Sequence, residues 1–260
     1  MPHPYEDVLS KIKWADYHID NFRAAILEFF KTNPYEFAVE VDPNIGNKIY
    51  TLIKVTPVPP QVRLAAGDAI QNMRSALDYL ACGLVAVNKV EPSDQVGFPI
   101  SESEPLSDRQ QARFQGKVQG MRQDAIDAIK AIKPYKGGNN TLWRLHHLNR
   151  IDKHRLLMAA GACVSLVDPR FMHKVRDFLI TGIEPLPGVT LPLKHSFPLK
   201  TGDKFTLNIT NTKMELNEYP FLEIAFNEPG VAVGEVVITV LKESLRCVKE
   251  VASNLLRFMY

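Results

Sequence analysis

Cysteine is scarce in this chain of 260 residues: Cys82, Cys163 and Cys247 lie far apart, with no CxxC and no Cys/His pair at zinc spacing. That argues against a disulfide framework or a structural zinc and reads as reduced, mostly buried thiols in a cytosol. Long hydrophobic runs are missing as well. Nothing approaches the roughly 18 uninterrupted apolar residues of a spanning helix, and MPHPYEDVLSKIKW at the N-terminus has no apolar core of signal-peptide length. The expectation is a cytoplasmic protein that neither spans nor binds a membrane. No charge sign dominates either. With 31 Lys+Arg against 29 Asp+Glu and a net charge of +2, any RNA or nucleotide partner has to be met by a local patch. GxxxxGK[ST], GxGxxG and a nucleophile elbow are all absent, which removes the common phosphate loops and the α/β-hydrolase arrangement and implies no cofactor.

What is present is an ordinary globular composition, 45% hydrophobic and 23% charged, so a packed core is expected rather than disorder. From Tyr5 to Lys31 the positions Val8, Ile12, Ala15, Ile19, Phe22, Ile26 and Phe29 step by four and three, the stripe of a long amphipathic helix. After Asn33-Pro34 the period changes to two, and two β-rich runs around a turn-forming segment predict a hairpin over about 35–55. Val62, Ala66, Met73, Leu77, Leu80 and Leu84 mark a second long helix over Gln61 to Lys89. A polar segment, 102–120, reads as a loop with one short helix, and Asp124 to Lys133 as another helix. Leu156 to Val167 reads as a buried strand, with further strands around 178–180, at Phe205 to Ile209 and at Phe221 to Phe226. A last long helix is predicted from Gly234 to Phe258, packed on the first. The fold class expected is α+β, a bundle of long helices flanked by an antiparallel sheet. It forms one domain, with the helical core mainly in 1–156 and 234–260 and a β-rich part near 157–230.

One stretch concentrates chemistry. TLWRLHHLNRIDKHRL, Thr141 to Leu156, holds three of the seven histidines and three arginines. On a continuous helix, Leu142, Leu145, Leu148, Ile151 and Leu156 form a broad apolar face that also contains Asn149 and Asp152. An amide and a carboxylate aimed at a core need partners. Arg74, with Asp78 one turn away, is the candidate, so a polar cluster of Arg74, Asp78, Asn149 and Asp152 is expected. The opposite face carries Trp143, His147, Arg150 and His154, with Arg144 and Arg155 at its edge. A cation among the candidate ligands disfavours a metal there. An imidazole beside guanidinium groups suits proton transfer next to a bound phosphate instead. The alternative is a solvated basic face.

The blocks NMRSALDYLA (72–81), FPI (98–100) and LWRLHHLNRIDKHR (142–155) resemble those of a widespread group of uncharacterised bacterial proteins. More distantly, the helical part resembles HEPN domains, α-helical modules that are often metal-independent RNases and commonly act as dimers. Their hallmark is an Arg, four to six arbitrary residues, then a His, a spacing that no Arg of this stretch makes with His154. Three residues separate Arg150 from His154 here, and the resemblance carries over His154 with Arg150 or Arg155 as catalytic groups. His147, Arg144 and Trp143 would then contact RNA or nucleotide, and the long helices would form a homodimer. The competing expectation is a noncatalytic binding or scaffold protein whose DKHR cluster is structural.

Overall fold

The apolar stripes of the long predicted helices turn inward. Val8, Ala15, Ile19 and Phe22 of the first, Met73, Leu77 and Leu80 of the second, and Leu241, Val248 and Leu255 of the last are all buried. The computed structural model describes residues 4–44, 46, 48–167, 197–206 and 219–259. Its elements, in order, are α1 (Pro4–Lys31), β1 (Tyr35–Val41), β2 (Lys48–Val55), α2 (Pro60–Ala86), α3 (Asp108–Val118), α4 (Gln123–Ala131) and α5 (Asn140–Asp152). They continue with β3 (Ala159–Val167), β4 (Lys204–Thr206), β5 (Tyr219–Glu228), β6 (Ala232–Val236) and α6 (Val237–Leu256). The fold is α+β, with six helices and two small antiparallel sheets among the described residues. None of these helices is long and apolar enough to cross a membrane.

Local chemistry sets the helix starts. Pro60 opens α2 at the position where a missing N–H costs nothing. Ser107 caps α3 and exchanges hydrogen bonds with Gln110 in a capping box. The last helix begins three residues later than its periodicity predicts. Residues 232–236 pair instead with β5, and Gly234 sits at φ +74, a conformation open to glycine but not to a helix. A Val-rich run of five residues fits either period, which is why the strand escapes notice. The strand predicted around 178–180, and Leu207 and Ile209 of the next, lie outside the described residues.

The chain divides into two compact units: unit 1 comprises Met1–Asn21, Leu64–Leu157 and Thr239–Tyr260, and unit 2 comprises Phe22–Arg63 and Met158–Ile238. Within unit 1, Lys249 of α6 pairs with Asp16 of α1 at 3.2 Å, and Arg144 of α5 donates to Glu243 of α6 at 3.1 Å. Where α2 meets α5, the Asp152 carboxylate lies so close over Gly67 that an added Cβ would collide with it. Only glycine permits that approach.

Unit 2 holds both sheets, in the orders β1-β2-β4 and β3-β5-β6. The Tyr35 hydroxyl of β1 packs on Gly161 of β3, again where a Cβ would clash. On β5, Glu223 is only 4% exposed, and burial pushes its carboxyl from 4.5 up to about 8, opposed by a hydrogen bond from the Ile224 amide. The unfolded chain ionises Glu223 near 4.5 while the folded one keeps its proton, so stability falls as pH rises from 4.5 toward 8. Glu223→Gln should therefore leave the melting temperature unchanged at pH 4 and raise it at pH 8, by up to about 4 kcal/mol of stability. Equal effects at both pH values in thermal melts would contradict a neutral buried carboxyl.

Candidate functional site

The site in unit 1 is built from α2 outward. Arg74 and Asp78, one turn apart, hold the backbone of Phe98 from both sides. Arg74 Nη2 donates to the Phe98 carbonyl at 3.0 Å, and the Phe98 amide donates to Asp78 Oδ1 at 3.0 Å. Arg74 Nη1 lies 3.0 Å from the same carboxylate oxygen as an ion pair, without the angle of a hydrogen bond. The Phe98 ring is buried, and a Cβ on the preceding Gly97 would press into Asp78 at 2.8 Å. Burial pulls the Arg74 pKa down while Asp78 opposes the shift. A charge this deep needs its partner.

The four-residue cluster expected from sequence does not form one hydrogen-bonded network among the described residues: Arg74 and Asp78 pair, and neither Asn149 nor Asp152 is bonded to them. Asp152 sits against Gly67, where burial first and the nearby Asp68 second raise its pKa. Asn149 is 4% exposed, and its Oδ1 finds no donor among the described residues. Both residues do point inward, but to places that one helix projection cannot distinguish.

Four residues past Phe98, Glu102 reaches α5. Its Oε2 accepts from Trp143 Nε1 at 3.1 Å, and its Oε1 lies 3.0 Å from His147 Nε2. The Trp143 and His147 rings are 4.6 Å apart, and Lys136 Nζ stands 4.5 Å over the indole, a cation–π contact. Neither ring is on a solvated face: Trp143 is 7% and His147 6% exposed. Both rings, for which a substrate-binding role is expected, contact Glu102 of the 98–102 segment. Burial lowers the His147 pKa, Glu102 opposes this, and Arg150 and Lys136 add to it. Glu102, which reads as a solvated acid in the sequence, is the hub of this contact although its side chain stays 63% exposed.

Beside them is His146, a residue the sequence does not single out. It lies about 40° round the helix from Leu142, on the border between the apolar arc and the polar face, so that neither pattern claims it. Its Nδ1 is buried and has no hydrogen-bond partner among the described residues. The ring meets His147 edge-on, with centroids 5.6 Å apart. Burial pulls its pKa from 6.5 down to about 4. The charges of Arg74, His147 and Arg150 act in the same direction, and Glu102 opposes them. His146 is thus a neutral imidazole at physiological pH in a cationic setting.

The remaining predicted residues scatter. α5 ends at Asp152 rather than continuing to Leu156, and Lys153 caps it. The His154 and Arg155 amides both close onto the Ile151 carbonyl, so His147 and His154 do not share a helix face. The turn leads to Leu157, fully buried, and then to β3; burying Leu157 and starting the strand redirects the backbone. His154 is exposed, and Arg155 Nη1 donates to the Leu156 carbonyl. Arg144 is spent on Glu243. Arg150 is exposed, and no carboxylate pairs with it among the described residues. The described residues contain no group of three or more His, Cys, Asp or Glu placed to hold a metal ion. No protein-family model matches the chain, and no curated protein or solved structure matches it.

Two measurements follow from this geometry. Arg74→Met leaves Asp78 and the Phe98 carbonyl without their partner and should cost about 3 kcal/mol, with a shift in Trp143 fluorescence as the Glu102 segment loosens; an unchanged melting temperature counts against the clamp. For His146, the unfolded chain takes up a proton near pH 6.5 but the folded one only near 4, so stability is lost as pH falls through that window. NMR titration should place the His146 midpoint near 4, and Arg150→Gln should raise it. A midpoint above 6 would refute the cationic setting.

Proposed function

We propose that unit 1 carries a metal-independent, HEPN-like site that acts on RNA in the cytoplasm, with His146 as the proton-transfer group and Arg150 as the phosphate contact. The chain would work as a homodimer through its long helices, as that resemblance implies. The observation that carries this reading is the neutral His146 imidazole set among the charges of Arg74 and Arg150. A phosphodiester arriving at Arg150 cancels part of the positive charge that holds the His146 pKa down, and so raises it toward the value at which an imidazole exchanges protons efficiently. His146 then takes the proton of a ribose 2′-hydroxyl, the 2′-oxygen attacks the adjacent phosphorus, and the 5′-oxygen leaves with the proton returned from the imidazolium. Arg150 offsets the charge gathered on the phosphorane. The products are a 2′,3′-cyclic phosphate and a free 5′-hydroxyl.

A second reading, a noncatalytic binding or scaffold protein, draws on Glu102, which secures both Trp143 and His147. In that reading the polar groups of α5 serve only to dock the 98–102 segment. The two separate on incubation of mixed-sequence RNA with the pure protein in the presence of a chelator. Cleavage to cyclic-phosphate ends should fall about 100-fold or more in His146→Gln, while His154→Ala stays within a few-fold of the parent. Equal degradation by the parent and His146→Gln, or none by either, leaves the scaffold reading.

A further inference from the structure

A cleft of about 620 Å³ opens beside the segment that carries Glu102, a volume within the usual range for small-molecule sites. Phe114 of α3 and Tyr135 line it, with Lys130 and Lys133 at the end of α4, and Glu104 and Asp108 at the start of α3. Its wall is fixed to the α5 site from two directions. The Ser101 amide donates to the Pro134 carbonyl at 3.0 Å, and Ser101 pairs with Tyr135 in a single parallel bridge; the residues that follow are Glu102 and Lys136, which meet on Trp143. Lys130 and Lys133 supply cations to the cleft, and Phe114 and Tyr135 supply ring faces. That is the combination that holds single-stranded nucleic acid, whose phosphates need charge and whose bases need stacking surfaces. Lys130 already rests over the Phe114 ring, 5.8 Å from its centroid.

We propose that this cleft is a nucleotide subsite, taking the base against Phe114 and Tyr135 and the phosphate at Lys130 and Lys133. Glu104 and Asp108 accept hydrogen bonds from ribose hydroxyls or base amino groups. The proposal extends the RNA reading of the α5 site and rests on it for the nature of the polymer, but its test does not use cleavage. Trp14 and Trp143 are the chain's two tryptophans, so Trp14→Phe leaves Trp143, hydrogen-bonded to Glu102, as the reporter of events in the cleft wall.

The test titrates the Trp14→Phe protein with uridine and adenosine 5′-monophosphates, a short oligouridylate, inorganic phosphate and a zwitterionic dipeptide, following Trp143 emission and, in parallel, calorimetric heat. Saturable binding of the mononucleotides and the oligomer is expected, with phosphate and dipeptide at least tenfold weaker. Tyr135→Ala should weaken nucleotides about tenfold. Lys133 has φ 52, a conformation asparagine tolerates, so Lys133→Asn removes the charge without straining the turn and should also weaken them several-fold. No nucleotide binding by either readout, tighter binding of the dipeptide, or undiminished binding by both variants overturns the subsite. If nucleotides bind as expected while RNA stays intact, the subsite stands and cleavage at His146 falls. If RNA is cleaved normally by both cleft variants and nucleotides do not bind, the subsite alone falls.

Discussion

The α5 site depends on one ion pair in a neighbouring helix, between the buried Arg74 and the half-exposed Asp78. Arg74 and Asp78 form an ion pair and hydrogen-bond both backbone groups of Phe98, so this pair is spent on locating a loop. A buried guanidinium needs a counter-charge and an acceptor, and here the acceptor is the Phe98 carbonyl, which dictates where residue 98 must be. From Phe98 the chain reaches Glu102 in four residues, Glu102 takes the Trp143 and His147 ring donors, and those rings set the surroundings of His146. Each step is short and polar, and each constrains the next more tightly than an apolar contact would, because hydrogen bonds have direction and hydrophobic burial does not.

The long helices were legible because burial imposes a period. Val8 through Phe22 and Met73 through Leu80 stand at helical spacing, and nothing local contradicts it. The same reasoning failed at the end of α5, where a helix projection extends the period past the point at which Leu157 and β3 redirect the backbone. His154 and Arg155 consequently looked like members of a face that does not exist. Glu102 escaped for a different reason. Its partners are 41 and 45 residues away, its own segment is polar and weakly periodic, and a mostly exposed carboxylate carries no mark of what it will meet. His146 escaped because it lies between two patterns. The Arg74 and Asp78 pairing was readable from their one-turn spacing, whereas its purpose, holding Phe98, was not.

The electrostatics of the site also show how little a net charge of +2 says about local potential. Arg74, itself paired with Asp78, and Arg150 bear on His146, and Arg150 and Lys136 on His147, with Glu102 opposing them at both. Arg74 is buried beside its partner Asp78, whereas Arg150 and Lys136 stand in water, where their fields are weaker. Burial and these cations together hold the pKa of both imidazoles down, on a chain whose net charge is close to zero.

The division into two units has a bearing on how the chain can be taken apart. The boundaries after Asn21, Arg63 and Ile238 fall inside α1, α2 and α6, and the remaining one, after Leu157, falls between α5 and β3. No contiguous piece of sequence corresponds to either unit, and a truncation aimed at one would sever helices that the other shares. The α5 groups and the clamp that seats them lie within one segment, Leu64–Leu157, but Glu243, which accepts from Arg144 of α5, belongs to a segment that returns only after residue 238, so the surroundings of α5 are complete only in the intact chain.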